Sequence, residues 1–262
     1  LKIINSDVRN IEIIKEYALK NDIIIPLAAI VGAPACNKDP VGSSSVNKNS
    51  IFEILKFLRD DQWILMPTTN SAYGSGDINN FCDENSPLNP ISLYAKDKIE
   101  VEQELMKKKN AISLRLATVF GMSPRMRTDL LINDFVFRAF FDGYVVLYES
   151  SFKRNYIHIR DVARAFLHCL KKFDQMKGNI FNVGLSNANL SKQELCEQIK
   201  LKLPKFNIIN NDYDKDPDQR NYIVSNKKIE STGFKVQYFI NDGIEELISG
   251  YSCLKKYSNG NI

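Results

Sequence analysis

Short runs of β-branched residues alternate with amphipathic stretches of helical period through the first half of this chain, and few folds accept that rhythm. Strands joined through a helix pair in parallel, because an antiparallel neighbour needs only a tight turn. Lys2-Ile3-Ile4 reads as a short strand, and Ile11 to Ala18 as the helix that follows it. Ile23-Ile24-Ile25 is apolar without alternation, as expected of a strand covered on both faces. The series continues with a helix over Ser50 to Arg59 and a strand at Trp63-Ile64-Leu65-Met66. A further helix opens at Asn89-Pro90 and runs past Tyr94, Lys98, Val101 and Leu105, and a strand follows at Ile112 to Leu116. The expected fold class is α/β, with a doubly wound parallel sheet.

From Gly121 the rhythm loosens. Asp129 to Phe141 reads as a helix, Val145 to Leu147 and Tyr156 to Ile159 as strands, and Asp161 to Phe173 as a helix with Asp161 at its N-cap. Asn179 to Gly184 returns to strand, and Asp242 to Ser249 closes as a helix. No repeat or low-complexity linker separates the halves. A smaller mixed α/β region, 121–154 with 185–262, is therefore expected to interleave with a larger one, 1–120 with 155–184.

Charge argues against a nucleic-acid partner. The 35 basic and 31 acidic side chains nearly cancel, and Lys107-Lys108-Lys109 is a run that a solvated helix end explains. Five cysteines, far apart and without a C-x-x-C pair, point to a reducing compartment and to no thiolate metal site. The most apolar stretch, Ile23 to Ala35, holds two prolines and is too short to cross a bilayer. No secretory leader is recognised, so a cytoplasmic location and no membrane partner are expected.

Tyr94 and Lys98 stand four residues apart, on one face of the expected helix. A free phenol titrates near ~10, too high for a good base at neutral pH, and a nearby ammonium favours the phenolate. The spacing alone carries little weight: Tyr251 and Lys255 share it near the C-terminus, with no role assigned. Context adds weight. The strand through Met66 leads into Pro67-Thr68-Thr69-Asn70-Ser71-Ala72-Tyr73-Gly74, and hydroxyls at the carboxyl end of a parallel strand sit where such sheets bind ligands.

Thr69 lies 25 positions before Tyr94, with Pro87-Leu88-Asn89-Pro90 between them. This pattern resembles the extended short-chain dehydrogenase/reductases that act on nucleotide-linked sugars. The resemblance covers nearly the whole chain: Asp7-Val8-Arg9, Leu27-Ala28-Ala29, Val46-Asn47, Arg115 to Gly121, and Arg154-Asn155-Tyr156-Ile157-His158-Ile159-Arg160-Asp161 each match a family segment. It implies a Rossmann-like fold, NAD as cofactor with NADP left open, a nucleotide-diphosphate sugar as substrate, and a homodimer. It implies that Tyr94 is the general base, that Thr69 orients the reacting oxygen, and that Lys98 tunes Tyr94 and binds the nicotinamide ribose. Asp7, Val8, Leu27, Ala28, Ala29, Asn47 and Leu116 would complete the cofactor contacts. Asn70, Ser71, Thr118, Asn133, Arg154 and Arg220 would face the substrate, the two arginines clamping its diphosphate. Arg125-Met126-Arg127 would lie near the sugar nucleotide, although Arg127 reads equally well as a surface ion-pair residue. His158 and His168 sit in patterned elements and read as structural.

Two departures matter. None of the twelve glycines forms the family's G-x-x-G-x-x-G loop after a strand, and the second strand with its cofactor-selecting residue is also missing. The expectation is an N-terminally truncated sheet, open where its central strand would pair, which binds NAD poorly. In addition, a 4,6-dehydratase would carry Asp and Glu directly after the triad threonine, whereas this chain has Asn70 and Ser71, which do not transfer protons near neutral pH. That counts against a dehydratase of that type; a 4-epimerase is favoured, then a dehydratase, then an NADPH-dependent reductase, which the missing cofactor-selecting residues leave open. A non-catalytic fragment or pseudoenzyme that binds nucleotide sugar is the rival from another class.

Overall fold

In the computed structural model, residues 2–75, 80–211, 213 and 219–254 are described. The helices are α1 Ile11–Lys20, α2 Ala33–Lys38, α3 Pro40–Ser44, α4 Ser50–Phe57, α5 Leu93–Leu105, α6 Leu131–Phe141, α7 Ile159–Lys171, α8 Phe173–Met176, α9 Lys192–Lys202, α10 Lys227–Ser231 and α11 Ile240–Ser252. The strands are β1 Ile23–Ile24, β2 Trp63–Thr69, β3 Ala111–Leu116, β4 Thr118–Phe120, β5 Tyr144–Tyr148, β6 Lys153–His158, β7 Asn179–Val183, β8 Asn189–Ser191 and β9 Asn207–Asn211.

The main sheet runs β1-β2-β3-β7 and is parallel throughout. Period-2 alternation along β2 sends Ile64 and Met66 to one face and Leu65 to the other. On the first face they meet Ile51, Ile54 and Leu55 of α4 and Val101 and Leu105 of α5. On the second face Leu65, Ile112, Leu114 and Phe181 pack against Val162, Cys169, Phe173 and Met176 from α7 and α8. Helices on both faces make this the doubly wound α/β fold that the alternation predicts. A further core joins α6, α9 and α11 to β5 through Ile132, Val136, Leu195, Ile199, Ile244 and Tyr251. Two smaller sheets, β4-β6-β8 and β5-β9, and two isolated bridges, Ser75 to Asn221 and Cys82 to Val224, add to the pairing among the described residues.

Four local expectations are corrected. Lys2 to Ile4 is not a strand: Ile3 is 84% exposed, and no described strand offers those residues a ladder. Ile23 to Ile25 is covered only in part: Ile24 and Ile25 pack on the cores of opposite faces, but β1 is a two-residue edge strand and Ile23 is exposed. Asn89-Pro90 does not start α5; Asn89 instead donates to the Ala72 carbonyl, and the Ser92 hydroxyl caps the helix by accepting from the Ala95 N–H at 3.2 Å. Gly74 permits that approach, because a Cβ there would lie 1.8 Å from the Asn89 oxygen. Asp161 is not the cap of α7. His158 holds that place, and the Asp161 carboxylate accepts from the Gln237 and Tyr238 N–H groups and pairs with Arg164.

Candidate active site

The carboxyl ends of β2 and β3 bring together residues distant in sequence. In-register pairing sets Thr69 beside Leu116, and Leu116 beside Val183. The chain then tightens into one 3-10 turn, Asn70–Tyr73, capped by Thr69, whose Oγ1 accepts from the Ser71 N–H at 3.1 Å. That bond uses a lone pair on the hydroxyl and leaves its proton available to a ligand. Thr69, Asn70 and Ser71 are all buried. Both polar atoms of the Asn70 amide lack a hydrogen-bond partner, an unmet capacity unusual in a buried side chain. Ser71 Oγ accepts from Arg220 Nη1.

Helix α5 supplies the second wall. Tyr94 stands in its first turn and Lys98 one turn later, with Nζ 5.9 Å from the Tyr94 ring centroid. Thr69 and Lys98 line one crevice, too narrow for a water molecule, together with Thr68, Ala72, Ile99 and Glu102. Burial dominates the titration of both catalytic candidates. It pushes the Tyr94 phenol up to about 12, Cys36 raises it further, and the Arg220 and Arg127 charges pull it back. The same cause draws the Lys98 ammonium down to about 8, against Asp97 and Cys36. The expected lowering of the tyrosine is therefore reversed within the protein alone. Desolvation outweighs the cations that face it.

The segment leaving β1 is held by Asn47, which accepts from the Ile30 N–H at 2.8 Å and donates to the Ile30 carbonyl at 2.7 Å. Leu27 and Ala28 are exposed along that segment. Asn47 sits within a π-helical turn, Ser45–Asn49, and does not open a helix; its part is to brace the neighbouring backbone. Asp7 forms an exposed ion pair with Arg9 at 2.6 Å, which holds its carboxyl down to about 2. Val8 is partly buried beside it, and Ala29 lies partly buried next to Ile30.

Among the substrate candidates, Arg154 is buried on β6 and Thr118 opens β4, which pairs with β6. The charges of Arg154 and Arg220 both act on the buried Tyr156, which brings the two arginines to one place. Asn133 serves the chain itself, accepting from the Gly121 N–H and donating to the Arg127 carbonyl, so it braces the 121–127 loop. Arg127 combines both of its expected readings, with a two-bond pair to Asp129 and a charge that reaches Tyr94. His158 caps α7 and His168 pairs with Thr232 at 2.7 Å, as structural residues do. No group of three or more metal-ligating side chains occurs among the described residues, and no described helix is long and apolar enough to cross a membrane.

Sequence reasoning missed one buried network beneath this layer. Glu102 of α5 pairs with Arg115 of β3 at 2.6 Å and also accepts from Thr68 and Ser113. The four-residue step from Lys98 to Glu102 was the available signal.

A parallel sheet wound on both faces, with a hydroxyl, a phenol and an ammonium at its carboxyl edge, is the architecture of a Rossmann-type enzyme. The chain belongs to the NAD dependent epimerase/dehydratase family, whose model matches residues 1–184. A Methanocaldococcus jannaschii protein provisionally named a UDP-glucose 4-epimerase is 23% identical over 258 residues, 94% of this chain and 82% of its own length. The dTDP-D-glucose 4,6-dehydratase of Mus musculus is 25% identical over 197 residues, 70% of this chain and 54% of its own length, so the chain spans about half of that relative. Among solved structures, the UDP-glucose 4-epimerase of Thermotoga maritima with UDP-glucose superposes with a TM-score of 0.81 at 18% identity. That superposition covers 95% of this chain and 84% of the other, and it shows a shared fold.

Proposed function

We propose that this chain binds NAD and a nucleotide-diphosphate sugar and interconverts C-4 epimers of that sugar through a transient 4-keto intermediate. The observation that carries the reading is the Thr69-Asn70-Ser71 turn. It offers a hydroxyl proton, an unmatched amide and an arginine-bound hydroxyl, and no carboxylate follows the threonine. Elimination of water needs an added acid and base, which an amide and a hydroxyl do not provide near neutral pH. Epimerisation needs only removal and return of hydrogen at one carbon.

The residues present fit the nicotinamide half of the cofactor. Lys98 is buried behind Tyr94, and Leu27 and Ala28 are exposed along a backbone fixed by Asn47. The glycine-rich cradle for the pyrophosphate is not in this sequence. When bound, NAD supplies the hydride acceptor and donor. Tyr94 takes and returns the proton of the sugar hydroxyl, and Thr69 donates a hydrogen bond to the same oxygen. Arg154 and Arg220 bind the diphosphate, where a guanidinium fork suits paired oxygens. We assign cofactor binding to 1–120 with 155–184, and sugar-nucleotide binding to 121–154 with 185–262.

The test begins by denaturing the purified chain and assaying released NAD(H), then incubating the native chain with nucleotide-linked hexoses and NAD. Product analysis by NMR is expected to show the C-4 epimer. Tyr94→Phe is expected to abolish turnover with unfolding unchanged. A 4-keto-6-deoxy product, or full activity in Tyr94→Phe, would overturn the reading.

A further inference from the structure

We propose that Glu102 and Arg115 are positioning residues whose buried ion pair sets where Tyr94 and Lys98 stand relative to Thr69. The inference rests on the reading of those three residues as the reacting layer. The seam between α5 and the sheet changes character along its length. Toward the amino end of the strands it is apolar, with Ile64, Met66 and Ala111 against Val101 and Leu105. One layer further, directly beneath the candidate site, it becomes Thr68, Ser113 and Arg115 against Glu102.

The bonds lead to the site from both sides. Glu102 follows Lys98 by four residues and Tyr94 by eight, so the three share a face of α5. Its Oε2 accepts from the Ser113 hydroxyl at 2.6 Å and from that of Thr68, the residue before Thr69, at 3.1 Å. Its Oε1 accepts from Arg115 Nη2 at 2.6 Å and Nε at 3.1 Å. Arg115 Nη1 then donates to the Tyr73 hydroxyl at 3.0 Å, at the end of the turn that begins at Asn70. One carboxylate thus ties the helix bearing Tyr94 and Lys98 to the strand residue before Thr69, and its partner arginine ties the turn after it.

A buried ion pair is weak evidence of a stabilising role. The two side chains are only 3% and 4% exposed, and a buried ion pair is often replaced by apolar side chains without loss, because desolvation offsets its attraction. Hydrogen bonds supply what an apolar layer lacks, which is a fixed slide of helix along strand. Thr69, Lys98 and Glu102 line the same narrow crevice, so a slide of the helix against the strand displaces the reacting groups directly. A misplacement of about 1 Å costs a reaction roughly 10²-fold.

The experiment compares the full chain with the double variant Glu102→Leu/Arg115→Met, which keeps the volume and removes the pair. The variant is expected to melt cooperatively, with KM for the sugar nucleotide within about threefold of the parent and kcat lower by about 10²-fold. Its crystal structure is expected to show the Tyr94-to-Thr69 separation changed by about 1 Å. A folded double variant with parental kcat and unmoved Tyr94 would overturn the proposal. Should the double variant not fold, Glu102→Asp decides, since it keeps the charge but shortens the reach. A fall in kcat at constant KM, reversed by restoring Glu102, supports positioning, and parental kcat refutes it. If the parent itself turns over no nucleotide sugar, the functional reading fails separately, and the Tyr94-to-Thr69 separation in the variants decides this one.

Discussion

Keeping Lys98 charged costs folding free energy, and the cost can be measured. Lys98 is 3% exposed, and burial draws its pKa from the ordinary 10.5 down to about 8, against smaller upward pulls from Asp97 and Cys36. Below pH 8 the folded and unfolded chains both hold the proton; between 8 and 10.5 only the unfolded chain does; above 10.5 neither does. Where the unfolded state binds more protons, stability rises with pH, here by up to about 1.4 kcal/mol per pH unit and about 3 kcal/mol across the window. Lys98→Met keeps an unbranched side chain of similar reach and removes the titration. The variant should therefore be the more stable protein near neutral pH, and its advantage should shrink by about 3 kcal/mol between about pH 7 and pH 11. The Tyr94 phenol, raised to about 12, opposes the trend above its ordinary 10, but it is present in both proteins and cancels in the difference. Urea unfolding under reducing conditions, followed through the single tryptophan Trp63, gives both curves. A stability gap that stays constant across the window would show that Lys98 is not depressed and that the buried-ammonium argument is wrong. The same variant should lose turnover, so stability and activity trade off at one residue.

Other expectations are more local. Asn47→Ala strands the N–H of Ile30 and leaves its carbonyl only the Cys36 thiol, which should cost about 1–3 kcal/mol in urea unfolding, with weaker NAD binding read by calorimetry. Asp161→Ala removes the acceptor for two backbone N–H groups and the partner of Arg164; a loss of about 2–4 kcal/mol is expected, read as a lowered melting temperature. Gly243→Ala would place a Cβ 2.2 Å from the Phe120 ring, and a cost of about 1–3 kcal/mol should appear in the same thermal scan.

The sheet was legible because its signals are local. Strand runs that alternate with helical stretches imply parallel pairing with helices on both faces, and β2, β3 and β7 lie where the apolar runs put them. The misreadings share one cause. Whether Lys2 to Ile4 becomes a strand, or Ile23 is covered along with Ile24 and Ile25, depends on what lies beside it, and the chain's own pattern does not report a neighbour. The cap of α7 was misread for a related reason. An aspartate near a helix start is a fair N-cap by type, but Asp161 is claimed by the 237–238 backbone, and His158 takes its place.

The candidate site shows the same limit at the level of chemistry. Spacing put Tyr94 and Lys98 on one helix face, and strand register set Thr69 beside Leu116, so the placement of these candidates on their elements was legible. Their titration was not, because the sign of each shift is set by burial, which spacing does not encode. Tyr251 makes the point within one molecule. It has the same four-residue step to a lysine, Lys255, which lies outside the described residues. Yet its ring packs in the core of α6, α9 and α11, and its hydroxyl donates to the Asn133 carbonyl at 3.0 Å. Burial raises that phenol as it raises Tyr94, with the Asp134 charge adding to the rise, whereas Tyr94 faces Arg220 and Arg127, which lower it. Cations brought from elsewhere in the chain distinguish Tyr94 from Tyr251 but not from Tyr156, whose buried phenol also faces two arginines, Arg154 and Arg220. Arg220 arrives from 149 residues beyond Ser71, its hydrogen-bond partner in the turn. That long-range placement of an arginine beside the turn is a feature the Y-x-x-x-K spacing does not report.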